Sequence, residues 1–184
     1  YFPTDVRLGI KSLRIEGKWR NIKKKAPKVL WIGDSITQGY GTFLASGTYV
    51  NVAARQLGYD VLNQGVGRYY FDANVITPME GYTPDKIIIA MGTNQHRSFD
   101  KEEKTIEYFE KLSKVYSGIP TLVLTPLWRC DPGSDMEQLL EMADIIKREC
   151  AKYPNIKVID GFELVPNFPD YFFDELHPNA LGGE

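Results

Sequence analysis

The stretch VLWIGDSIT, residues 29–37, decides the fold. Its first four residues are all apolar, and a run this short is typical of a buried parallel strand rather than a helix. The strand ends at GDS, whose small and polar side chains favour a tight turn. Because ligands of open α/β sheets bind outside the carboxyl ends of the strands, the turn places Ser35 where a nucleophile would be useful.

Further short strand-like segments follow along the chain and alternate with helical patterns, and residues 87–91 are again continuous and apolar. Strands are predicted at 59–62, 87–91, 121–124 and 156–159, and helices at 48–57, at 100–116 and from the SDME capping box at 134–137 onward. Predicted inner helix faces include Leu57, Ile106 and Leu140. Strands alternating with helices predict right-handed βαβ units, and therefore an α/β fold with a five-stranded parallel sheet covered on both faces.

The two ends of the chain follow different patterns. Residues 1–25 are predicted to be an N-terminal β segment and linker, with alternating apolar residues at 6, 8 and 10 and again at 13 and 15, before a main domain at 26–184. The segment is interpreted either as an edge strand of the main domain or as the remnant of an upstream β domain. At the other end, residues 182–184 lie where a closing helix would begin, and that helix is expected to be absent or very short.

Composition excludes several functional classes. The net charge of −2 gives no electrostatic reason to expect nucleic acid or an anionic membrane, and no apolar run is long enough for a membrane span. Cys130 and Cys150 lack the spacing of a disulfide framework or a metal site, and two histidines supply no zinc pattern. A soluble protein without a metal is expected, and an extracytoplasmic location is compatible with the sequence.

Polar residues with complementary chemistry follow several of the predicted strands. Parallel topology brings Ser35, the loop 63–68 and Asn94 to one sheet edge, and Asp174 lies three residues before His177. Histidine can accept the serine proton while aspartate fixes its tautomer. Asn94 and a backbone N–H near Arg68 are candidate donors to the oxyanion of an acyl intermediate. The set predicts nucleophilic acyl chemistry.

The order of four short motifs resembles the SGNH (GDSL-type) hydrolases: GDSIT at 33–37, NQG at 63–65, GTN at 92–94 and DELHPN at 174–179. The resemblance implies a flavodoxin-like three-layer α/β/α sandwich without a cofactor. It makes Ser35, His177 and Asp174 the catalytic residues, and Ser35, Arg68 and Asn94 the oxyanion hole. The family usually has glycine where this chain has Arg68, so we expect the Arg68 N–H to replace that donor if the backbone does not need positive φ, with Gly65 and Gly67 as alternatives.

The same resemblance directs the substrate hypothesis. Some members, including carbohydrate acetyl-esterases, carry a β-sandwich domain before the catalytic domain, and residues 1–22 look similar to its last strands. The leading hypothesis is a serine esterase that removes short acyl groups from a carbohydrate or another small ester. Alternatives are a thioesterase or lysophospholipase with the same machinery, or a non-catalytic carbohydrate-binding domain. A nucleotide-binding domain is disfavoured, because the first strand is followed by neither a Gly-x-Gly-x-x-Gly nor a P-loop motif.

Aromatic residues in the predicted strand-end loops are candidates for a substrate pocket. Trp128 and Tyr69 are the expected pocket residues, while core packing is expected for two of the set Tyr69, Tyr70, Phe71 and Trp128.

Charged and polar residues near these loops have structural interpretations. Arginines 68, 97 and 129 are expected to pair locally with aspartates 72, 100 and 131, so that no basic rim results. Asp34 is expected to accept backbone N–H groups in its turn, and His96 to be a solvated loop residue.

Overall fold

The computed structural model describes residues 9–18 and 25–184. Its strands are β1 Lys28–Gly33, β2 Asp60–Gly65, β3 Lys86–Ala90, β4 Thr121–Leu124 and β5 Ile156–Ile159. Its helices are α1 Ser35–Gln38, α2 Tyr49–Leu57, α3 Lys101–Val115 and α4 Met136–Cys150. All strand pairs are parallel, in the order β2-β1-β3-β4-β5. The predicted five-stranded α/β fold with flavodoxin-like strand order is confirmed.

The central strands β1 and β3 are buried on both faces of the sheet, which is why they appear in the sequence as continuous apolar runs. Alternate residues of β1 enter different clusters: Leu30 packs in the larger core with residues of α3 and α4, whereas Val29 packs with Val50 of α2. Helices therefore cover both faces, and β1 lies inside the sheet. This arrangement places the turn after β1 between the turns after β2 and β3.

The inner faces of the helices differ in part from those predicted. In α4 the N-cap is Asp135, one residue later than the start of the predicted capping box, and its carboxylate accepts the Gln138 N–H at 3.1 Å. The later start is accompanied by burial of Met142 rather than Leu140, which is 49% exposed. Leu57, at the end of α2, is also exposed. In α3 the fully buried residues include Tyr108, and Ile106 is only partly buried.

One face of the sheet carries an open apolar cleft of about 320 Å³. Side chains of β1, β3 and β4 form its floor, including Trp31, Ile88 and Leu122, and Tyr49 of α2 lines it as well. Residues 182–184 also line the cleft. No helix in the described ranges has the length and apolar character needed to cross a bilayer.

The N-terminal prediction lies partly outside the described residues, which do not include Val6 and Leu8. Residues 9–18 form neither helix nor strand, and Ile10, Leu13 and Ile15 are each at least 60% exposed. The assignment of residues 1–25 to an accessory β segment stays a prediction.

Candidate active site

The turn after β1 holds Ser35 at the first position of α1. Asp34 is the N-cap, and its Oδ1 accepts the Ile36 N–H at 3.0 Å. Gly33 is required by space, since a Cβ there would lie 2.0 Å from Thr37 Oγ1 and 2.6 Å from the Ala90 carbonyl oxygen. The serine is thereby fixed at the carboxyl edge of the sheet, partly exposed to solvent.

The structure brings Ser35, His177 and Asp174 into one hydrogen-bonded series. Ser35 Oγ lies 2.8 Å from His177 Nε2, and His177 Nδ1 lies 2.8 Å from Asp174 Oδ2. Asp174 Oδ1 also accepts the backbone N–H of His177 at 2.8 Å. A carboxylate on Nδ1 fixes the imidazole tautomer that leaves Nε2 free to accept a proton. The arrangement has the geometry that nucleophilic catalysis by serine requires.

The environment of Asp174 keeps this carboxylate ionised. Burial acts to raise its pKa, but hydrogen bonds from the backbone N–H and the side chain of His177 outweigh that effect, and the pKa lies below its ordinary value. An ionised carboxylate is the form that can stabilise a protonated imidazole.

Asn94, which is predicted to donate to the oxyanion, is positioned by the backbone that follows β2. Its Nδ2 donates to the Tyr69 carbonyl oxygen at 2.8 Å, and the residue is exposed. An amide nitrogen carries two hydrogens, so this bond leaves one of them for a ligand while fixing the plane of the group. Tyr69 therefore positions the Asn94 side chain through its backbone carbonyl, whereas its aromatic side chain was predicted to line the substrate pocket.

Arg68 adopts a positive φ, although the prediction of its N–H as an oxyanion donor assumed a backbone that does not need one. Arg68 itself takes φ +65°, the conformation glycine would adopt more readily. Its N–H donates to no protein acceptor within the described part of the chain, whereas the Gly65 N–H is bound by Asn63 and the Gly67 N–H by Gln38. The two alternatives are therefore engaged, and Arg68 keeps its place as the candidate backbone donor.

A substitution separates the backbone of Arg68 from its side chain. Arg68→Gly keeps the N–H and suits the left-handed conformation, so we expect kcat for a small ester to stay within about threefold and the free energy of unfolding to change by no more than about 1 kcal/mol. Steady-state kinetics and urea unfolding measure both quantities. A fall in kcat of a hundredfold would show that the guanidinium, rather than the N–H, matters.

The arginine pairs form at only one of the three predicted places. Arg129 binds Asp131 through Nε and Nη2 at 2.7 and 2.8 Å, and its Nη1 donates to the Thr93 carbonyl oxygen. Arg68 and Arg97 are exposed, and among the described residues neither pairs with the aspartate expected for it. Those two aspartates instead accept short-range hydrogen bonds: Asp72 from Asn74 and Asp100 from Ser98.

His96 is buried rather than solvated, so that expectation is wrong. The residue is 4% exposed, its Nδ1 lies 2.7 Å from the Thr93 carbonyl oxygen, and its Nε2 has no partner in the described residues. Burial lowers the pKa of His96, which favours the neutral ring. Together with Arg129 it holds the turn that carries Asn94.

The aromatic candidates divide between core and surface. Phe71 is fully buried, and Trp128 packs on Phe162 with ring centroids 4.6 Å apart and donates its indole N–H to the Phe162 carbonyl. None of the hydrogen bonds or ring contacts of Trp128 joins it to Ser35, Asp174 or His177. A ring that the sequence did not single out, Tyr40, lies 4.7 Å from the His177 ring.

Asp34 gives the site a predicted pH dependence of stability. Burial raises the pKa of Asp34 to about 7, even though the Ile36 N–H and the Arg129 charge act to lower it. Because the pKa of Asp34 is higher in the folded than in the unfolded protein, its contribution to the free energy of unfolding is complete below pH 4. That contribution is lost as the pH rises through 7.

We therefore expect wild type to lose stability relative to Asp34→Asn between pH 4 and pH 8, by a few kcal/mol, with no further relative loss above that range. Asparagine can still accept the Ile36 N–H, so the cap survives the substitution. Urea unfolding of both proteins across this range gives the difference. A difference independent of pH would contradict a protonated Asp34 in the folded protein.

Among the described residues, no group of three His, Cys, Asp or Glu side chains could hold a metal ion.

A flavodoxin-like parallel sheet with a serine, a histidine and an aspartate joined at its carboxyl edge defines the fold class of the SGNH hydrolases. Residues 31–184 match the model of the GDSL-like lipase/acylhydrolase family. The chain belongs to that family. No curated protein matches it in sequence.

Solved structures share the fold. A protein from Bacteroides ovatus described as a GDSL-like lipase has a TM-score of 0.75 at 18% identity, covering 89% of this chain and 51% of that one. The lipase/acylhydrolase from Enterococcus faecalis has a TM-score of 0.69 at 22% identity, covering 85% and 89%. A G-D-S-L lipolytic protein from Veillonella parvula has a TM-score of 0.63 at 22% identity, covering 85% and 91%. This chain thus spans about half of the Bacteroides protein.

Proposed function

We propose that the protein is a serine esterase that works through an acyl-enzyme and removes short acyl groups, such as acetyl, from a carbohydrate or another small ester. The observation that carries the proposal is the 2.8 Å contact between Ser35 Oγ and His177 Nε2, with Asp174 on the opposite ring nitrogen. A serine hydroxyl is a weak nucleophile until a base of this kind accepts its proton.

In the first half-reaction, Ser35 Oγ attacks the carbonyl carbon of the ester and its proton moves to His177 Nε2. The carbonyl oxygen becomes an oxyanion, which the N–H groups of Ser35 and Arg68 and the Asn94 amide would stabilise. The C–O bond to the alcohol then breaks, and His177 returns the proton to the departing alkoxide. The products are a free alcohol and an acyl group on Ser35.

The second half-reaction regenerates the enzyme. A water molecule loses a proton to His177 Nε2 and attacks the acyl carbon, forming a second oxyanion. The bond to Ser35 Oγ breaks, the serine recovers its proton, and a carboxylic acid leaves.

The proposal is tested by the mass of the intact protein after treatment with a fluorophosphonate. Attack of Ser35 on phosphorus expels fluoride, so we expect one phosphonyl adduct on the wild-type protein and none on Ser35→Ala. Ser117→Ala, which changes an exposed serine after α3, serves as the control and should still be labelled. Absence of an adduct on folded wild type would contradict the proposal and favour a binding domain.

The proposed role of Asn94 has its own test. Removing one oxyanion donor lowers kcat by about 10²–10³, so Asn94→Ala is expected to show that loss on an acetate ester. Asn74→Ala, which truncates another exposed asparagine, is the control and should retain wild-type kcat. Equal kinetics for the Asn94 variant and wild type would remove Asn94 from the oxyanion hole.

A panel of acyl chain lengths tests the substrate class separately. With one alcohol held constant, we expect kcat/KM to be highest for acetate and to fall with lengthening of the acyl chain. A rising series, or a preference for long-chain thioesters, would indicate a thioesterase or lysophospholipase instead.

A further inference from the structure

We propose that three aromatic rings beside His177, those of Tyr40, Phe43 and Phe173, form a binding shelf for the alcohol part of the ester. The shelf would select alcohols that carry a ring with a flat apolar face. This inference rests on the proposed function and assigns the side of the site that receives the leaving group.

The direction of proton transfer places the alcohol. His177 Nε2 must reach the oxygen of the departing alkoxide to protonate it, so that oxygen and the carbon behind it lie on the His177 side of Ser35. The oxyanion donors Arg68 and Asn94 come from the turns after β2 and β3. Whatever flanks His177 is therefore placed to contact the alcohol group.

The shelf starts at His177 and continues outward as a series of edge-to-face contacts. Ring centroids are 4.7 Å apart for Tyr40 and His177, 6.1 Å for Tyr40 and Phe173, and 5.2 Å for Phe43 and Phe173. The exposed fractions are 42% for Tyr40, 83% for Phe43 and 46% for Phe173. These contacts are within the normal range for aromatic pairs and leave ring surface open to a ligand.

Phe43 takes an unfavourable backbone conformation while burying little of its side chain. Its φ is +54°, and it is the central residue of a γ-turn in which the Leu44 N–H donates to the Thr42 carbonyl at 2.5 Å. Turns of this sign are strained, and strained residues cluster at ligand-binding sites. An 83% exposed phenylalanine gains little from packing, so a bound ligand is the better explanation for it.

The loop that presents Phe43 is fixed to the rest of the site. Thr42 is buried and its hydroxyl donates to the Gly39 carbonyl at 2.8 Å. At Gly41, where φ is +87°, a Cβ would lie 3.0 Å from Phe173 Cβ and 3.4 Å from His177 Cβ. The loop therefore lies directly against the segment that carries the base, which gives the rings a defined position.

Two kinds of alcohol have the required shape: a pyranose, whose ring carries C–H groups on one face, and an aryl-substituted alcohol. Both present a flat apolar surface to an aromatic ring, and one ring contact of this kind changes an equilibrium constant by about 2- to 12-fold. Small aliphatic alcohols have no flat ring face to present to these side chains.

The test compares acetate esters of two alcohols of nearly equal acidity, benzyl alcohol and ethanol, by their ratio of kcat/KM. Phe43→Ala is expected to lower the benzyl-to-ethyl ratio by about 3- to 10-fold relative to wild type. Phe43→Gly should lower the benzyl-to-ethyl ratio equally. It should melt at the same temperature as Phe43→Ala or higher, because glycine suits the positive φ. Phe168→Ala, which removes another exposed phenylalanine, is the matched control and should keep the wild-type ratio.

A methyl glucopyranoside carrying one acetyl group distinguishes between the two kinds of alcohol, a pyranose and an aryl-substituted alcohol. Loss of its kcat/KM in Phe43→Ala, relative to ethyl acetate, supports a sugar on the shelf; loss with benzyl acetate alone supports an aryl alcohol. An unchanged ratio with both ring-bearing esters overturns the proposal. It is equally overturned if Phe43→Ala alters the butyrate-to-acetate ratio instead, which would place the acyl group there.

A lipid-docking surface would behave differently. Activity that rises sharply above the critical micelle concentration of the substrate, and loses that rise in Phe43→Ala, would contradict an alcohol subsite. Failure of the proposed function itself is distinguishable from all of these results, because wild type would then hydrolyse neither ester and would form no phosphonyl adduct.

Discussion

Ser35→Ala is expected to lower kcat for acetate esters by on the order of 10⁶, the loss that follows removal of the nucleophile from a serine hydrolase of the triad type. In the proposed mechanism the hydroxyl is the atom that forms the acyl-enzyme, and His177 Nε2, 2.8 Å away, is the base that accepts its proton. Alanine is smaller and removes a partly exposed group, so folding should be preserved. The measurement is steady-state hydrolysis with circular dichroism as the check on folding.

The same experiment shows whether Ser35 and His177 act as a unit. If they act as a unit, His177→Ala lowers kcat about as much as Ser35→Ala does, and the double variant is no slower than either single variant. Losses that multiply in the double variant would indicate independent roles. Activity of Ser35→Ala near that of wild type would contradict nucleophilic catalysis by this residue altogether.

The positions of the strands could be predicted because their physical signal is local. The interior strands β1 and β3 are buried on both faces and therefore appear as unbroken apolar runs. The bounds of β4 and of the edge strand β5 also match those predicted. The position of the turn after β1 followed from the same run. Parallel topology then placed Ser35 and Asn94 at one edge without any tertiary information.

Helix faces were predicted less well because a periodic pattern does not show how a helix is rotated on the sheet. Leu140 fits the apolar stripe of α4, but the structure buries Met142 and Ile145 and leaves Leu140 half exposed. Exposed apolar residues are common on protein surfaces, so composition alone cannot separate the two cases.

The polar surroundings of the site depend on contacts between distant segments. His96 is buried with its Nδ1 2.7 Å from the Thr93 carbonyl oxygen, and the Arg129 side chain reaches the same oxygen from 36 positions along the chain. Proximity in sequence suggested that Arg68 and Arg97 would pair with aspartates, but Asp72 and Asp100 each accept a hydrogen bond from a residue two positions away instead. The shelf beside His177 joins residues 40–43 to 173 and gives no local signal either.

Asp174→Asn is expected to lower kcat by about 10⁴ while leaving the fold intact. The carboxylate now accepts from His177 Nδ1 at 2.8 Å, and an amide at this position can instead donate to that nitrogen. The imidazole would then hold its proton on Nε2, where it cannot accept one from Ser35.

Asp170→Asn makes the same chemical change at an exposed position four residues earlier and should retain wild-type kcat. Fluorophosphonate labelling should slow in parallel with kcat, since both depend on the same proton transfer. A loss of less than tenfold would mean that the tautomer of His177 is fixed by another group, and Asp174 would then be a residue that only holds the loop through its bonds to the backbone N–H groups of Leu176 and His177.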